Sequence, residues 1–221
     1  MSARKKAPAD KRSVVEAGLR ERIGTHQLLP GSRLSEAELA QDFDVSRGVI
    51  REVFTRLEQR GLIKRTKNKS AIVVRLELPE ILEIYAIREL LEGLCTRRAA
   101  QNVPPESWQD LVDLFDGPME QSVKDRDFET YIDNLQLFRA RKIEAAKSPV
   151  LSEMLDIIHD RVREIGRRII VLPGRAEVAL REHQSVLKAL RCGDADKSEE
   201  LQRANIRSSC EYLQKYERFV L

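Results

Sequence analysis

Residues 34–57 read Leu34-Ser35-Glu36-Ala37-Glu38-Leu39-Ala40-Gln41-Asp42-Phe43-Asp44-Val45-Ser46-Arg47-Gly48-Val49-Ile50-Arg51-Glu52-Val53-Phe54-Thr55-Arg56-Leu57. Ser35 with Glu38 three residues on forms a capping box, in which each side chain satisfies a free backbone donor at the start of a helix. A short helix is predicted behind it, with Leu39, Ala40 and Phe43 facing inward. Asp44-Val45 makes the next turn, and Asp44 takes the position that favours φ > 0, where Gly fits best and Asp or Asn is tolerated. Ser46 is a good N-cap for a second helix, with Val45 and Ile50 at the staple positions around it. That helix carries Ile50, Val53, Phe54 and Leu57 on its inner side and stops at Gly61, a C′ residue. Ala40 must be small because the two helices cross there, and Val45, Ile50 and Val53 must be apolar to lock them together.

Upstream of this pair, Val15, Leu19 and Ile23 fall at helical spacing between Ser13 and Gly24, and Leu29-Pro30-Gly31 breaks the chain. Downstream, the period changes to short β-prone runs, Leu62-Ile63 and Ala71-Ile72-Val73-Val74. They are separated by Lys64-Arg65-Thr66-Lys67-Asn68-Lys69-Ser70, a hairpin with a basic tip. Leu78-Pro79 marks a domain boundary. Beyond it, breaks at Pro104-Pro105, Gly117-Pro118, Ser148-Pro149, Pro173-Gly174 and Gly193-Asp194 leave about six helices and no convincing strand, which predicts a helical bundle. The fold class is therefore mainly α. Residues 1–12 read as a disordered basic arm, 13–76 as a winged helix-turn-helix with a small β-hairpin wing, and 79–221 as an all-helical domain.

The charge supports this division. Residues 1–75 hold 17 Lys/Arg against 9 Asp/Glu, a net of +8, whereas residues 76–221 hold 22 against 27, a net of −5. A basic module suits a polyanion, and the second module has no such need. No run of about 18 apolar residues offers a membrane span, and the N-terminus lacks the apolar region of a secretory signal. Cys95, Cys192 and Cys210 show no paired spacing, which fits a reducing, cytoplasmic setting. Double-stranded DNA is the expected partner. The second helix of the pair would lie in the major groove with its N-terminal residues toward base edges. Arg47 and Arg51, four apart on one face, can each contact guanine O6/N7 bidentately, and Gly48 between them keeps the surface low. Ser46 and Thr55 can donate to phosphates, while Lys67, Asn68 and Lys69 in the hairpin tip would reach the backbone or the minor groove.

These residues resemble a known family. Leu29-Pro30-Gly31, Leu34-Ser35-Glu36, Glu38-Leu39-Ala40, Val45-Ser46-Arg47, Arg51-Glu52, Leu57 and Gly61-Leu62-Ile63 are similar to the GntR family of bacterial transcription regulators. The downstream half resembles that family's FadR-type helical effector domain, FCD, through Arg88, Leu91-Glu92, Ala99-Ala100, Phe138, Pro149, Glu182-His183 and Asp194-Ala195. The resemblance implies a homodimer on a short palindromic operator. It also implies a small effector, usually a carboxylic acid, that enters the bundle and changes operator affinity. It assigns DNA reading to Arg47 and Arg51, with the wing around Asn68. Two positions depart from the family pattern: Ala37 stands where an Arg is usual, and Ser70 where the wing normally has a Gly.

Many FCD domains hold a divalent metal with one Asp and three His. The matching positions here are Leu135, Arg139, His183 and Asn205, and a guanidinium has no lone pair to give a metal, so no such site and no cofactor is expected. Independently of the family, Arg139 shares a helix face with the apolar Ile132, Leu135, Ile143 and Ala146. A charge on that stripe must find a partner or reach water. Two readings are open: Arg139 grips an effector carboxylate bidentately, or it pairs with a structural Asp or Glu. His183 also lies on an apolar face, with Ala179, Val186, Leu187 and Leu190, and is either a core histidine or part of the same site. Tyr212, two turns after Asn205, could line that cavity. Arg88 and Glu92, four apart, read as an ion pair, and Trp108, Leu111, Leu114 and Phe115 as core. An enzyme finds no support, since there is no phosphate loop, nucleophile–base pair or carboxylate dyad. A metal-sensing regulator with a non-standard site, recruiting Asp133 or Glu182 to His183, is the alternative.

Overall fold

The computed structural model describes residues 10–65 and 70–221. The chain separates into two compact units between Leu76 and Glu77. The first contains α1 (Lys11–Gly24), β1 (Arg33–Leu34), α2 (Glu36–Asp42), α3 (Arg47–Gln59), β2 (Ile63–Arg65) and β3 (Ala71–Val73). Helix α1 begins at Lys11, inside the stretch expected to be an arm, because Asp10 caps it by accepting from the Arg12 amide at 3.4 Å. Residues 1–9 lie outside the described residues.

Both expected caps of the central helix pair form. Ser35 Oγ accepts from the Glu38 amide at 3.3 Å, and Ser46 Oγ from the Val49 amide at 3.4 Å. Asp44 has φ 50°, the left-handed conformation its position called for. Val15, Leu19, Ile50, Val53, Phe54 and Leu57 of α1 and α3 meet in one core with Leu39 and Ala40 of α2. At the end of α3, Gly61 has φ 72°; its amide donates to Glu58 O and the Leu62 amide to Leu57 O. This Schellman closure turns the chain directly into β2. The hairpin is β2 paired antiparallel with β3, Ile63 opposite Val73 and Arg65 opposite Ala71. A third strand that the pattern did not announce, β1, pairs with the other edge of β3. It has only two residues, too few to show alternation, and the turn at Pro30-Gly31 delivers it.

The second unit contains α4 (Leu78–Asn102), a 3-10 turn (Pro105–Trp108), α5 (Gln109–Asp116), α6 (Pro118–Lys124), α7 (Phe128–Ala145), α8 (Pro149–Ile170), α9 (Arg175–Arg191), α10 (Ala195–Lys215) and the short α11 (Glu217–Val220). All five expected breaks are present. Two further breaks occur: one at Tyr216 sets off the short α11, and one separates α6 from α7 at Arg126, which turns the chain at φ 57° without a glycine to mark it. Asp127 then restarts the helix by accepting from the Thr130 amide at 3.1 Å. Trp108, Leu111 and Phe115 are buried with Met119, Tyr131 and Phe138, and Leu114 is packed partly buried against them. Helix α4 lies along α10, α7 and α8, so one turn of it faces the interior from several sides.

Candidate functional site

In the first unit, α3 presents Ser46, Arg47, Gly48, Arg51 and Thr55 on its exposed side. Arg47 has no hydrogen-bond or ion-pair partner among the described residues. Arg51 is 61% exposed, and its Nε donates to Glu36 Oε2 at 2.7 Å. A methyl group added at Gly48 would meet only Ser46 Oγ, at an ordinary 3.5 Å. The fold therefore does not require glycine there, which leaves the low surface between the two arginines as its distinguishing property. Ser46 is already in use as the cap. Thr55 is also engaged: its hydroxyl donates to Arg51 O at 3.0 Å and accepts from Arg65 Nη2 at 2.7 Å. Arg65 Nη2 also donates to Arg51 O at 2.8 Å, and the Arg65 amide donates to Glu58 Oε1 at 3.1 Å. Arg65 thus ties the base of the wing to the exposed helix, a link that spacing alone did not reveal. The wing-tip residues Lys67, Asn68 and Lys69 lie outside the described residues.

In the second unit, Leu135, Arg139, His183 and Asn205 line one cavity of about 90 Å³. They reach it from three helices. Leu135 and Arg139 are one turn apart on α7, His183 is on α9 and Asn205 on α10. Tyr212 is not among the lining residues; its ring packs 5.1 Å from the Arg175 guanidinium carbon and stacks on Tyr216. Two turns carry Tyr212 about 10 Å farther along α10 than Asn205, and it sits beside the cavity instead of in its wall.

The same cavity collects Arg88, Lys142, His159, Arg163, Arg167 and Arg175, and Glu92 is its only carboxylate among the described residues. Glu92 accepts from Arg88 Nε at 2.6 Å, from Gln202 Nε2 at 3.0 Å, and lies 3.1 Å from His159 Nε2 and 3.8 Å from Lys142 Nζ. The expected Arg88–Glu92 pair is therefore the anchor of a larger buried network. Burial alone would raise the Glu92 pKa, but Arg88, His159 and Lys142 hold it well below the usual carboxylate range. Burial pushes the Lys142 ammonium down, against Glu92. It also takes His159 down to about 4, with Arg139 adding to the effect, so the imidazole is neutral near pH 7.

Arg139 donates to Gln136 Oε1 at 3.0 Å and has no carboxylate within ion-pair distance among the described residues. Burial lowers its pKa to about 10, with Arg88 and Arg163 contributing and Glu92 opposing. A guanidinium resists losing its proton, and with a pKa of about 10 Arg139 stays charged near pH 7. His183 packs edge-on to Phe115 and Phe138, at centroid distances of 6.1 and 5.9 Å. Burial, with Lys142 and Arg175, keeps its pKa well below the ordinary value, and its Nδ1 is buried without a partner among the described residues. Asn205 Nδ2 donates to Glu182 Oε2 at 2.7 Å, and the same oxygen accepts from Arg175 Nη1 at 3.0 Å. Glu182 is thus held by a cation. No group of three His, Cys, Asp or Glu suited to a metal occurs among the described residues, and the metal-sensing alternative gains no support. Leu135, Arg139 and Asn205 are a poor donor set for the divalent ion of the FCD site.

A winged helix-turn-helix with an exposed arginine-bearing helix, joined to a helical domain with an internal polar cavity, defines a one-component transcription regulator. The model of the bacterial regulatory proteins of the gntR family matches residues 11–73, and that of the FCD domain matches residues 83–208. The chain belongs to the GntR family, with an FCD effector domain. It is 28% identical over 201 residues to the HTH-type transcriptional regulator YdhC of Bacillus subtilis, covering 88% of this chain and 87% of that one. It is 27% identical to the transcriptional repressor RspR of Escherichia coli, covering 76% and 74%. The solved structure of Escherichia coli McbR/YncC superposes with a TM-score of 0.78 at 22% identity, over 95% of this chain and all of that one. These relatives are regulators of transcription, not enzymes. No helix among the described residues is long and apolar enough to cross a membrane.

Proposed function

We propose that this regulator binds a short palindromic operator as a homodimer in the cytoplasm, under the control of a small carboxylate or other anionic metabolite held in the bundle cavity. The observation that carries this reading is Arg139: a guanidinium without a carboxylate partner among the described residues, on the wall of a cavity rich in cations, at a position where the family elsewhere uses a metal ligand. A guanidinium can take over the metal's task of neutralising a carboxylate, with the advantage of a planar bidentate fork. Ile87, Leu90 and Leu94, exposed along one face of α4, suit association with a second copy. Arg47 and Arg51, with Gly48 between them, are the base readers; Ser46, Thr55, Lys67, Asn68 and Lys69 support the backbone contacts.

A thermal-shift screen of organic acids, sugar acids and acyl-CoAs tests the cavity, with wild type and Arg139→Ala compared. Stabilisation of wild type that is absent in the variant is the expected result; equal stabilisation of both removes Arg139 from the site. For DNA, a mobility-shift assay on a palindrome near the protein's own gene should lose its band in the Arg47→Ala, Arg51→Ala double variant. Affinity should also fall steeply with salt, as phosphate contacts require.

A further inference from the structure

One wall of the cavity is a stripe of α8, where His159, Val162, Arg163, Gly166 and Ile170 all line it. At 3.6 residues per turn, the other four fall within about 60° of Gly166 around the helix axis, and Gly166 lies inside the arc they span. A side chain at that position would therefore project toward the cavity, and Gly166 is the one member of the stripe without a side chain.

Neither backbone nor packing asks for glycine there. Gly166 lies inside α8 with a turn of helix on either side, and it is not among the glycines with positive φ. Glycine is the poorest helix former after proline. A Cβ built on Gly166 meets no heavy atom within 4 Å among the described residues, its own helix backbone and chain neighbours aside. At Gly93 on α4, by contrast, a Cβ would lie 2.6 Å from Arg203 Cγ, so close packing explains that glycine. The room at Gly166 is left unfilled by the protein. Val162 and Ile170, one turn before it and one turn after, are both buried and make its flanks apolar. Arg139 faces this wall from α7, coupling electrostatically to His159 and Arg163. A cation and an apolar gap thus share a cavity of about 90 Å³.

Resting on the anionic-effector reading above, we infer that Gly166 is the residue that sets the size of the effector: a short-chain carboxylate whose head is held by Arg139 and whose hydrocarbon body lies against the bare α8 backbone between Val162 and Ile170. Arg139 then selects the charge, and Gly166 selects the length.

Calorimetric titration of the full-length protein with the straight-chain monocarboxylates from acetate to hexanoate tests this. In wild type, affinity should rise with chain length up to a limit and then fall. Gly166→Ala should weaken binding by a factor that grows along the series, from slight at acetate to at least about tenfold at the longest acid wild type accepts, as one methyl too many does in a filled site. Arg139→Ala should instead weaken all the acids alike. Thermal unfolding of the unliganded Gly166→Ala variant, followed by Trp108 in the second unit, should show a midpoint level with wild type or higher, because alanine favours the helix and meets no neighbour. A Gly166→Ala variant that binds every acid as wild type does overturns the inference and leaves the anion cavity standing. The same holds for a lowered midpoint with an equal loss across the series, which would make the glycine structural. Failure of every acid to bind wild type overturns the anion reading together with this one.

Discussion

Arg47 and Arg51 share a helix face, yet they start from different states. Arg47 projects into solvent without a partner among the described residues, whereas Arg51 is held by Glu36 at 2.7 Å. An ion pair this exposed contributes at most about 1 kcal/mol, so a base edge can displace Glu36 at small cost. Glu36→Gln should therefore raise operator affinity by up to about fivefold, corresponding to roughly 1 kcal/mol, as read by fluorescence anisotropy. An unchanged or weaker complex would indicate that Glu36 positions Arg51 for DNA. Arg47→Ala should cost about 1–3 kcal/mol and relax the base preference at a single operator position. Gly48→Ala fits the fold and favours the helix by up to about 1 kcal/mol, so it should preserve or raise stability while weakening DNA binding. The candidacy of these side chains was legible because i,i+4 spacing on a capped helix is a local property. The Glu36 contact was not, since it joins α3 to the first residue of α2 across the turn.

Elements that begin or end on a local chemical signal were readable in the same way. The serine caps, Asp44 at φ 50° and Gly61 at φ 72° all mark boundaries in the residues themselves. Arg126 marks its turn with no such residue, and β1 is too short to show a period. The Gly61 closure matters most for function, because it directs the chain from α3 into β2, where Arg65 returns to Thr55 and the Arg51 carbonyl. Gly61→Ala forces a Cβ into the left-handed region and should destabilise the first unit by roughly 1–2 kcal/mol. All four tyrosines and Trp108 belong to the second unit, so aromatic fluorescence would miss the change. Amide hydrogen exchange can resolve it, as faster exchange at Leu57 and Leu62 with Trp108 fluorescence unaltered. Protection equal to wild type would show that the closure adds little.

At the scale of the whole molecule, the division into a basic module and an acidic one could be read from charge, and the cavity's Leu135, Arg139, His183 and Asn205 from family positions. Arg88, Glu92, Lys142, His159 and Arg175 were not legible as one site, because they come together from four helices and no spacing in the sequence connects them. Their convergence has a measurable consequence in acid. His159 is held near pKa 4 by burial and by Arg139, against an ordinary value of 6.5, and His183 is lowered in the same direction. Between pH 6.5 and about 4 the unfolded chain therefore binds protons that the folded chain refuses, so stability is fully present above that window and declines as pH falls through it. His159 alone accounts for a loss on the order of 3 kcal/mol over the window, at about 1.4 kcal/mol per pH unit. Glu92, depressed well below 4.5, extends the loss to lower pH, because its contribution fades once the unfolded carboxyl begins to protonate. Urea titrations monitored by Trp108, the sole tryptophan and 1% exposed in the bundle core, should show wild-type stability falling between pH 6.5 and 4.5 with a slope approaching two protons. His159→Gln retains a hydrogen-bond donor toward Glu92 without titrating in this range, and should reduce the slope to about one proton. A slope unchanged by that substitution would place His159 in contact with solvent, outside the buried network around Glu92.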